Sequence, residues 1–410
     1  ANLWQSRATG EALDVGAIRV ELEADWRDAR IAADLDTNLS SVAHLRDVSV
    51  TGFVDDIPRE LVTLRRGQIE GRLAKIIAGE DWREHILRAS LDGLAANVRR
   101  EADGSFEIAR VLGLDVPENP LEAAEGEVAR LSGVLALSDS AVRYGDASLE
   151  RPLSLELAGI AGEVNLAAAG RLVDGVPVDD AGRITAGIDG TWGEYSLRAK
   201  LSTDIVGETE IADLALSAPG QIAPVSADRL SARYDLNAML SADEPLLHLS
   251  ELTAERLVAR AVRRADGSWD LLDEIADATG QRVDEMEQPD PGSLVARVRL
   301  ADSSVEVVDH TVQGPEPLVV AARDLDADID LGAVNAMRAD GETRSAGTLS
   351  ASVSASATGI SASGTLLADM VGVLQASDLR ISAPEPGGGD LLELPRVGLR
   401  LETGPMLAGE

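Results

Sequence analysis

Apolar and polar residues alternate one by one along much of this chain. Tyr195, Leu197, Ala199, Leu201 and Ile205 interleave with Ser196, Arg198, Lys200, Ser202 and Asp204. Leu325, Ala327, Ile329 and Leu331 interleave with Asp324, Asp326, Asp328 and Asp330. Leu349, Ala351, Val353, Ala355 and Ala357 do the same with Ser350, Ser352, Ser354 and Ser356. A period of two sends successive side chains to opposite faces of a sheet. These segments therefore predict strands with one apolar and one wet face.

The pattern also predicts how two hairpins close. Ile184, Ala186, Ile188 and Trp192 lead to the two-residue connection Gly193-Glu194, a length that favours a tight primed turn. Pairing Trp192 with Tyr195 puts Ile188 opposite Ala199 and Ala186 opposite Leu201, with Asp189 facing Arg198 on the wet side. Thr358-Gly359 takes the same role further on, where Val353 falls opposite Gly364 and Ala351 opposite Leu366. Helical signals are short. Leu271–Met286 carries Leu272, Ile275 and Val283 ahead of Pro289 and Pro291, and Glu60–Ile77 follows Pro58. Gly387-Gly388-Gly389 reads as a loop.

The chain repeats itself. Val98-Arg99-Arg100-Glu101-Ala102-Asp103-Gly104-Ser105-Phe106 returns as Val262-Arg263-Arg264-Ala265-Asp266-Gly267-Ser268-Trp269, and Asp139-Ser140 returns as Asp302-Ser303. Ala181-Gly182 matches Ala346-Gly347, and Asp204–Gly207 matches Asp369–Gly372. Asp213–Pro219 matches Asp378–Pro384. Landmarks in the same order at nearly constant spacing predict tandem units. The expected division is a partial unit at 1–80 and full units at 86–246 and 249–402. The expected fold is mainly β: an elongated, twisted or curled antiparallel sheet built from tandem repeats, with a few short helices.

Composition narrows the function. The 410 residues carry 71 Asp+Glu against 37 Lys+Arg, a net charge of −34. Such a chain repels phosphate backbones, which excludes nucleic acid as a partner. With 45% apolar residues it is nonetheless no disordered acidic tail. There is no cysteine, hence no disulfide, thiolate metal site or cysteine nucleophile. No run of 18 apolar residues occurs, and Ala1–Gln5 does not read as a signal peptide.

Chemistry-bearing patterns are sparse. His44, His85, His248 and His310 sit in four unrelated contexts, none with the spacing of a helical metal site. Asp309 precedes His310, but neighbouring strand residues point to opposite faces. Asp326-x-Asp328-x-Asp330 begins like a calcium loop, yet Leu331 and Met337 stand where Gly and Glu are needed, so it reads as an acidic strand face. Phosphate-binding loops and nucleophile elbows are missing. No cofactor, metal or catalytic residue is expected, and the chain is not read as an enzyme.

The turn Val262–Leu271 resembles a recurring feature of the AsmA-like superfamily, in which a strand ends in a basic pair, an Asp-Gly-Ser turn follows and an aromatic or aliphatic residue resumes the chain. Val295–Asp309, Leu45–Gly52 and Leu379–Ser382 are similar to that family too. The resemblance implies a curled β-sheet with an apolar inner groove in the periplasm of a Gram-negative cell envelope. It also implies an inner-membrane anchor outside this sequence and a part in moving phospholipid between inner and outer membranes. The residues expected to meet acyl chains are Ile184, Ala186, Ile188, Leu197, Ala199, Leu201, Leu349, Ala351, Val353 and Leu366. A secreted or surface-layer β-repeat scaffold is the other reading that repeats, acidity and absent cysteine fit.

Overall fold

The structure, a computed structural model, describes residues 18–38, 41–54, 57–81, 84–113, 133–149, 152–173, 176–218, 224–241, 245–270, 295–312, 314–340, 346–369, 372–383 and 390–400. The protein is mainly β; among the described residues it forms a mixed sheet of 19 strands with five short helices. Two compact units are present: residues 1–193 with 200–206, and residues 194–199 with 207–410.

The first unit holds β1 (Ile18–Trp26), β2 (Ala29–Thr37), β3 (Val42–Val54), β4 (Ile57–Gly71), α1 (Leu73–Ile77) and β5 (Ile86–Arg100). It continues with α2 (Glu107–Leu112), β6 (Val134–Asp146), β7 (Leu153–Asn165), α3 (Leu166–Val173) and β8 (Gly182–Trp192). Strand β9 (Tyr195–Asp204) is divided between the units. The second unit holds β10 (Glu208–Ser217), β11 (Val225–Tyr234), α4 (Leu236–Ser241), β12 (Leu249–Glu255), β13 (Val258–Arg263) and β14 (Arg297–Asp309). After these come β15 (Leu318–Asp330), α5 (Leu331–Asp340), β16 (Gly347–Ala357), β17 (Ile360–Asp369), β18 (Val373–Ser382) and β19 (Asp390–Arg400). No helix among the described residues is long and apolar enough to cross a membrane.

Two expectations need correction. The sheet is not wholly antiparallel: β5 runs parallel to β6, and β12 and β13 run parallel to β14. Parallel neighbours need a long crossover, which the 101–133 and 264–296 connections supply. Glu60–Ile77 is not one helix either, since strand β4 runs to Gly71 and only Leu73–Ile77 is helical. The register explains the misreading. Val50 pairs with Val62 but Thr51 with Glu60, so Leu61 is an extra residue that breaks the alternation. The buried pair Leu61 and Leu64 is thereby spaced by three, like a helix face. The expected helix at Leu271–Met286 and the loop at 387–389 lie outside the described residues.

The recurrence seen in the letters is also a recurrence of hydrogen bonds. In the Asp-Gly-Ser turn, Glu101 N donates to Ser105 O at 2.8 Å and Gly104 N to Glu101 O at 2.9 Å. Arg264 N to Ser268 O and Gly267 N to Arg264 O repeat both distances. Asp103 accepts from Ser105 N as Asp266 does from Ser268 N. Structurally, then, Arg100 corresponds to Arg263 and Glu101 to Arg264. Gly182 and Gly347 share φ values of 115° and 112°, and a Cβ at either would collide with the carbonyl oxygen of Glu163 or Asp328. The hairpin at Thr358-Gly359 closes as expected, with both residues at positive φ, Val353 paired with Gly364 and Ala351 with Leu366.

A half-length copy is present within the partial unit expected at 1–80. Strands β1 to β4 repeat β8 to β11: Ile18, Trp26 and Arg27 match Ile184, Trp192 and Gly193, and Arg27 and Gly193 share φ values of 53° and 56°. Gly71 N donates to Ser41 O as Tyr234 N does to Gly207 O. Arg72 N donates to His85 O as Asp235 N does to His248 O, at 2.9 and 3.0 Å.

Several strands, among them β3, β6, β10, β14, β15 and β18, carry an aspartate in the left-handed region. Asp139 and Asp302 (φ 46° and 49°) shift the register of β6 against β7 and of β14 against β15. The bulge interrupts the parallel ladder, and the next residue repairs it. Buried Ser140 accepts from Leu94 N at 3.3 Å and donates to Ser138 O at 3.0 Å. Buried Ser303 accepts from Leu257 N at 3.2 Å and donates to Ala301 O at 3.1 Å. Replacing Ser140 or Ser303 by Ala leaves that amide unsatisfied and is expected to lower stability in urea unfolding by about 1–3 kcal/mol. Ser354→Ala, on the wet face, should change it by under about 0.5 kcal/mol.

Candidate functional site

Register carries apolar residues from strand to strand. In the second unit Ile211 pairs with Leu230, Leu230 with Ala254, Ala254 with Leu300 and Leu300 with Ala327. The row goes on through Leu349, Ala368 and Leu374. A parallel row runs through Ala232, Leu252, Val298 and Ile329. Beyond the bulges, Leu216, Val225, Ala259, Val305, Ala322, Val353 and Gly364 form a third. In the first unit Val20, Leu35, Leu45, Gly67, Leu91, Leu137, Gly162 and Ile184 form the row equivalent to the first.

These rows form a face that is half-buried rather than packed. The described core cluster is small: Ala29, Leu61 and Val111, where α2 lies over β3 and β5. Among the described residues α3 also contacts β6 and β7, and α5 contacts β14. Val305 and Val320 remain 36% and 37% exposed. The first two rows of the second unit enclose a concavity of about 240 Å³ lined by Ile211, Leu230, Ala232, Leu252, Ala254, Val298 and Leu300.

Every residue expected to meet acyl chains lies on a strand and on its less exposed side. Ala186, Ala199 and Ala351 are buried, and Ile184, Ile188, Leu197, Leu201, Leu349, Val353 and Leu366 are half-buried. Ser196, Arg198, Lys200, Ser352 and Thr365 between them are exposed. Within the first unit Ile184 faces Gly162 and Ile188 faces Leu157. Within the second, Leu349, Ala351, Val353 and Leu366 share the β16–β17 ladder. The residues of the 240 Å³ concavity were not singled out from sequence. Alternation at Arg297-Val298-Arg299-Leu300 and Glu251-Leu252-Thr253-Ala254 is the signal that marks them.

The opposite face is ionic. Glu208, Arg233, Glu251, Arg297 and Asp330 succeed one another across five strands with alternating charge. Arg233 meets Glu251 at 2.8 Å, Arg297 meets Asp328 at 2.5 Å, and Arg299 pairs with Glu251. The hydrogen bond from Arg297 holds the Asp328 carboxyl below the usual range. Asp326 accepts from Asp302 N at 2.9 Å, and Asp330 caps α5 through Ala333 N. The three aspartates thus serve the sheet. At the bulge line of the first unit, Arg65 reaches Asp92 at 2.8 Å and Asp139 at 3.0 Å. In the second unit Arg256 donates to Asp228 in the same place with the charges exchanged, since Asp228 corresponds to Arg65.

The four histidines go four separate ways. His85 is buried with Nε2 2.8 Å from Glu80 Oε2, His248 contributes its carbonyl to Asp235 N, and His44 and His310 are exposed. Among the described residues no group of three or more His, Asp or Glu could hold a metal ion. The chain was compared with protein-family models, curated proteins and solved structures, and nothing matches.

Asp92 gives a pH test of the bulge line. Hydrogen bonds from Arg65, then Arg66, hold its carboxyl at about 2, against an ordinary value near 3.9. A carboxyl held low when folded adds stability that is present above its unfolded pKa and is lost as pH falls toward its folded one. The NMR titration midpoint of Asp92 is therefore expected at about 2. Asp92→Asn should flatten the stability profile between about pH 4 and pH 2. A midpoint near 4 would contradict the assignment.

Proposed function

We propose that the apolar face shields phospholipid acyl chains from water, as a non-enzymatic segment of AsmA-like kind in the periplasm. On this reading it works between inner and outer membranes, with the inner-membrane anchor lying outside this sequence. One observation carries the proposal: register continues rows of apolar residues and glycine across the strands of each unit, with their alanines mostly buried and their larger side chains half-buried. An ordinary core side chain is taken out of water by a second layer. Among the described residues, α2, α3 and α5 are the α-helices with recorded contacts to strands.

The physics favours a chain-shaped apolar ligand. Each methylene taken from water contributes about 0.8 kcal/mol, with no directional contact required. Rows built of Leu, Ile, Val and Ala leave shallow relief, and the 240 Å³ concavity has mostly aliphatic residues in its lining, with Thr209, Ser231, Thr253 and Arg299 beside them. A headgroup would remain in water, where no specific recognition is needed. The strongly acidic composition opposes close approach to anionic membrane surfaces, which favours loading of chains over adsorption of the protein.

Photo-crosslinking from the two faces tests this. A photoreactive residue at Ala254 or Leu300 is expected to label phospholipid, and one at Arg233 or Arg297, on the ionic face, is not. Ala254→Asp should weaken lipid retention at least tenfold, because an isolated charge on an apolar surface carries a large desolvation cost. Equal labelling from both faces, or none from a chain shown to be folded by circular dichroism, would overturn the proposal and favour a β-repeat scaffold.

A further inference from the structure

Within the first unit a cavity of about 410 Å³ lies where β4 and β5 part. Among the described residues their ladder ends with Val62 paired to Ala96, whereas β4 begins at Ile57 and β5 runs on to Arg100. Both strand ends line the cavity, together with Glu107 of α2 and with Arg143, Gly145 and Ser154 of β6 and β7. Asn97 bridges the gap, its Nδ2 donating to Glu60 O at 2.8 Å. The volume suits a small ligand.

The repeat shows that this place is particular to the first unit. Since Arg100 corresponds to Arg263, and Asp146 accepts from Ser148 as Asp309 does from Thr311, Arg99 matches Val262 and Gly145 matches Val308. In the second unit Val262, Val308 and Val319 form one row across three strands, and Val308 is buried. In the first unit that row is Arg99, Gly145 and Ser154, and a Cβ at Gly145 would meet nothing within 4 Å. Arg260 meets Glu306 at 2.8 Å in the second unit, where the first has Asn97 beside Arg143. An apolar row has thus become an open notch between a guanidinium and a hydroxyl.

Most charges around the cavity are already paired. Arg59 meets Glu107 at 2.9 Å, and Arg143 meets Glu156 at 3.1 Å. Buried Asp146 accepts from Tyr144 at 2.8 Å and lies 3.7 Å from Arg100. Arg99 and Glu60, both exposed, line the cavity without an ion pair among the described residues. We propose that this cavity binds a small zwitterion, its anionic end at Arg99 and Ser154 and its ammonium at Glu60. An anion alone would meet Glu60 and the repulsion of a chain of net charge −34, and a cation alone would meet Arg99. A molecule carrying both charges satisfies both side chains and has no net charge to be repelled. The inference does not rest on the lipid proposal, since it concerns a water-soluble ligand and is read in lipid-free protein.

The test titrates the whole chain with two zwitterions, glycerophosphoethanolamine and glycylglycine, and with the single-charge probes glycerol 3-phosphate and ethanolamine. Amide NMR signals of Arg99, Gly145 and Ser154 should shift with at least one zwitterion, and that zwitterion should bind at least tenfold tighter than either single-charge probe. Which zwitterion binds tells a phosphate ester from a carboxylate as the anionic end. Gly145→Val gives the first unit the residue that the second carries in the same place. It should fill the notch and weaken binding at least tenfold, with the circular dichroism of the wild type. Should that variant misfold, Arg99→Gln and Glu60→Gln, which alter exposed side chains, decide in its place and should each weaken binding at least tenfold. No shift from either zwitterion up to about 10 mM would overturn the inference. So would shifts confined to other parts of the chain, a single-charge probe binding as tightly as the zwitterions, or unchanged affinity in the folded variants.

Discussion

Strand register is the constraint on which this structure depends. Side chains in a strand alternate with a period of two, so a slip of one residue anywhere would turn a strand's apolar set to the wet face. The row from Ile211 to Leu374 survives eight strands in succession, two of them parallel neighbours, without such a slip. Ionic rows on the other face reinforce the same register, since Glu251 lies between Arg233 and Arg299 only when the apolar partners are also aligned.

Bulges look like a threat to register, and here they preserve it. Each inserts an extra residue, but they fall at one height on successive strands. Asp302 on β14 is followed by Asp324 on β15, and Leu300 to Ala327 and Val305 to Ala322 stay on one face across both. Aspartate tolerates the left-handed conformation better than most side chains. The serine after it gives the interrupted parallel ladder a hydrogen bond it would otherwise lack. The Asp-Ser pairs that mark the repeat in sequence therefore have a mechanical reason to recur.

Much of this was legible without coordinates. Alternation identified the strands around Ile184–Trp192 and Leu349–Ala357, and the two-residue turn fixed the Val353–Gly364 register. Legibility failed where a local rule was broken by one residue. Leu61, extra in its strand, made β4 look helical. The parallel pairings left no local trace, because β5 and β6 meet only through a long crossover. In the half-repeat β1–β4 the correspondence with β8–β11 lies in backbone conformation more than in residue identity: Arg27 stands in for Gly193, and Asp47 for Asp213, at similar positive φ. The concavity on β10–β14 needed pairing across four strands, which no single segment records.

What separates a working face from an unfinished core is whether something from outside the chain occupies it. The most direct measurement is native mass spectrometry of the chain produced in a Gram-negative host and purified without detergent. The account predicts adducts of phospholipid mass that disappear after organic extraction, while circular dichroism of the extracted protein remains that of a β-sheet. A folded chain that carries only its own mass, before and after extraction, would contradict it.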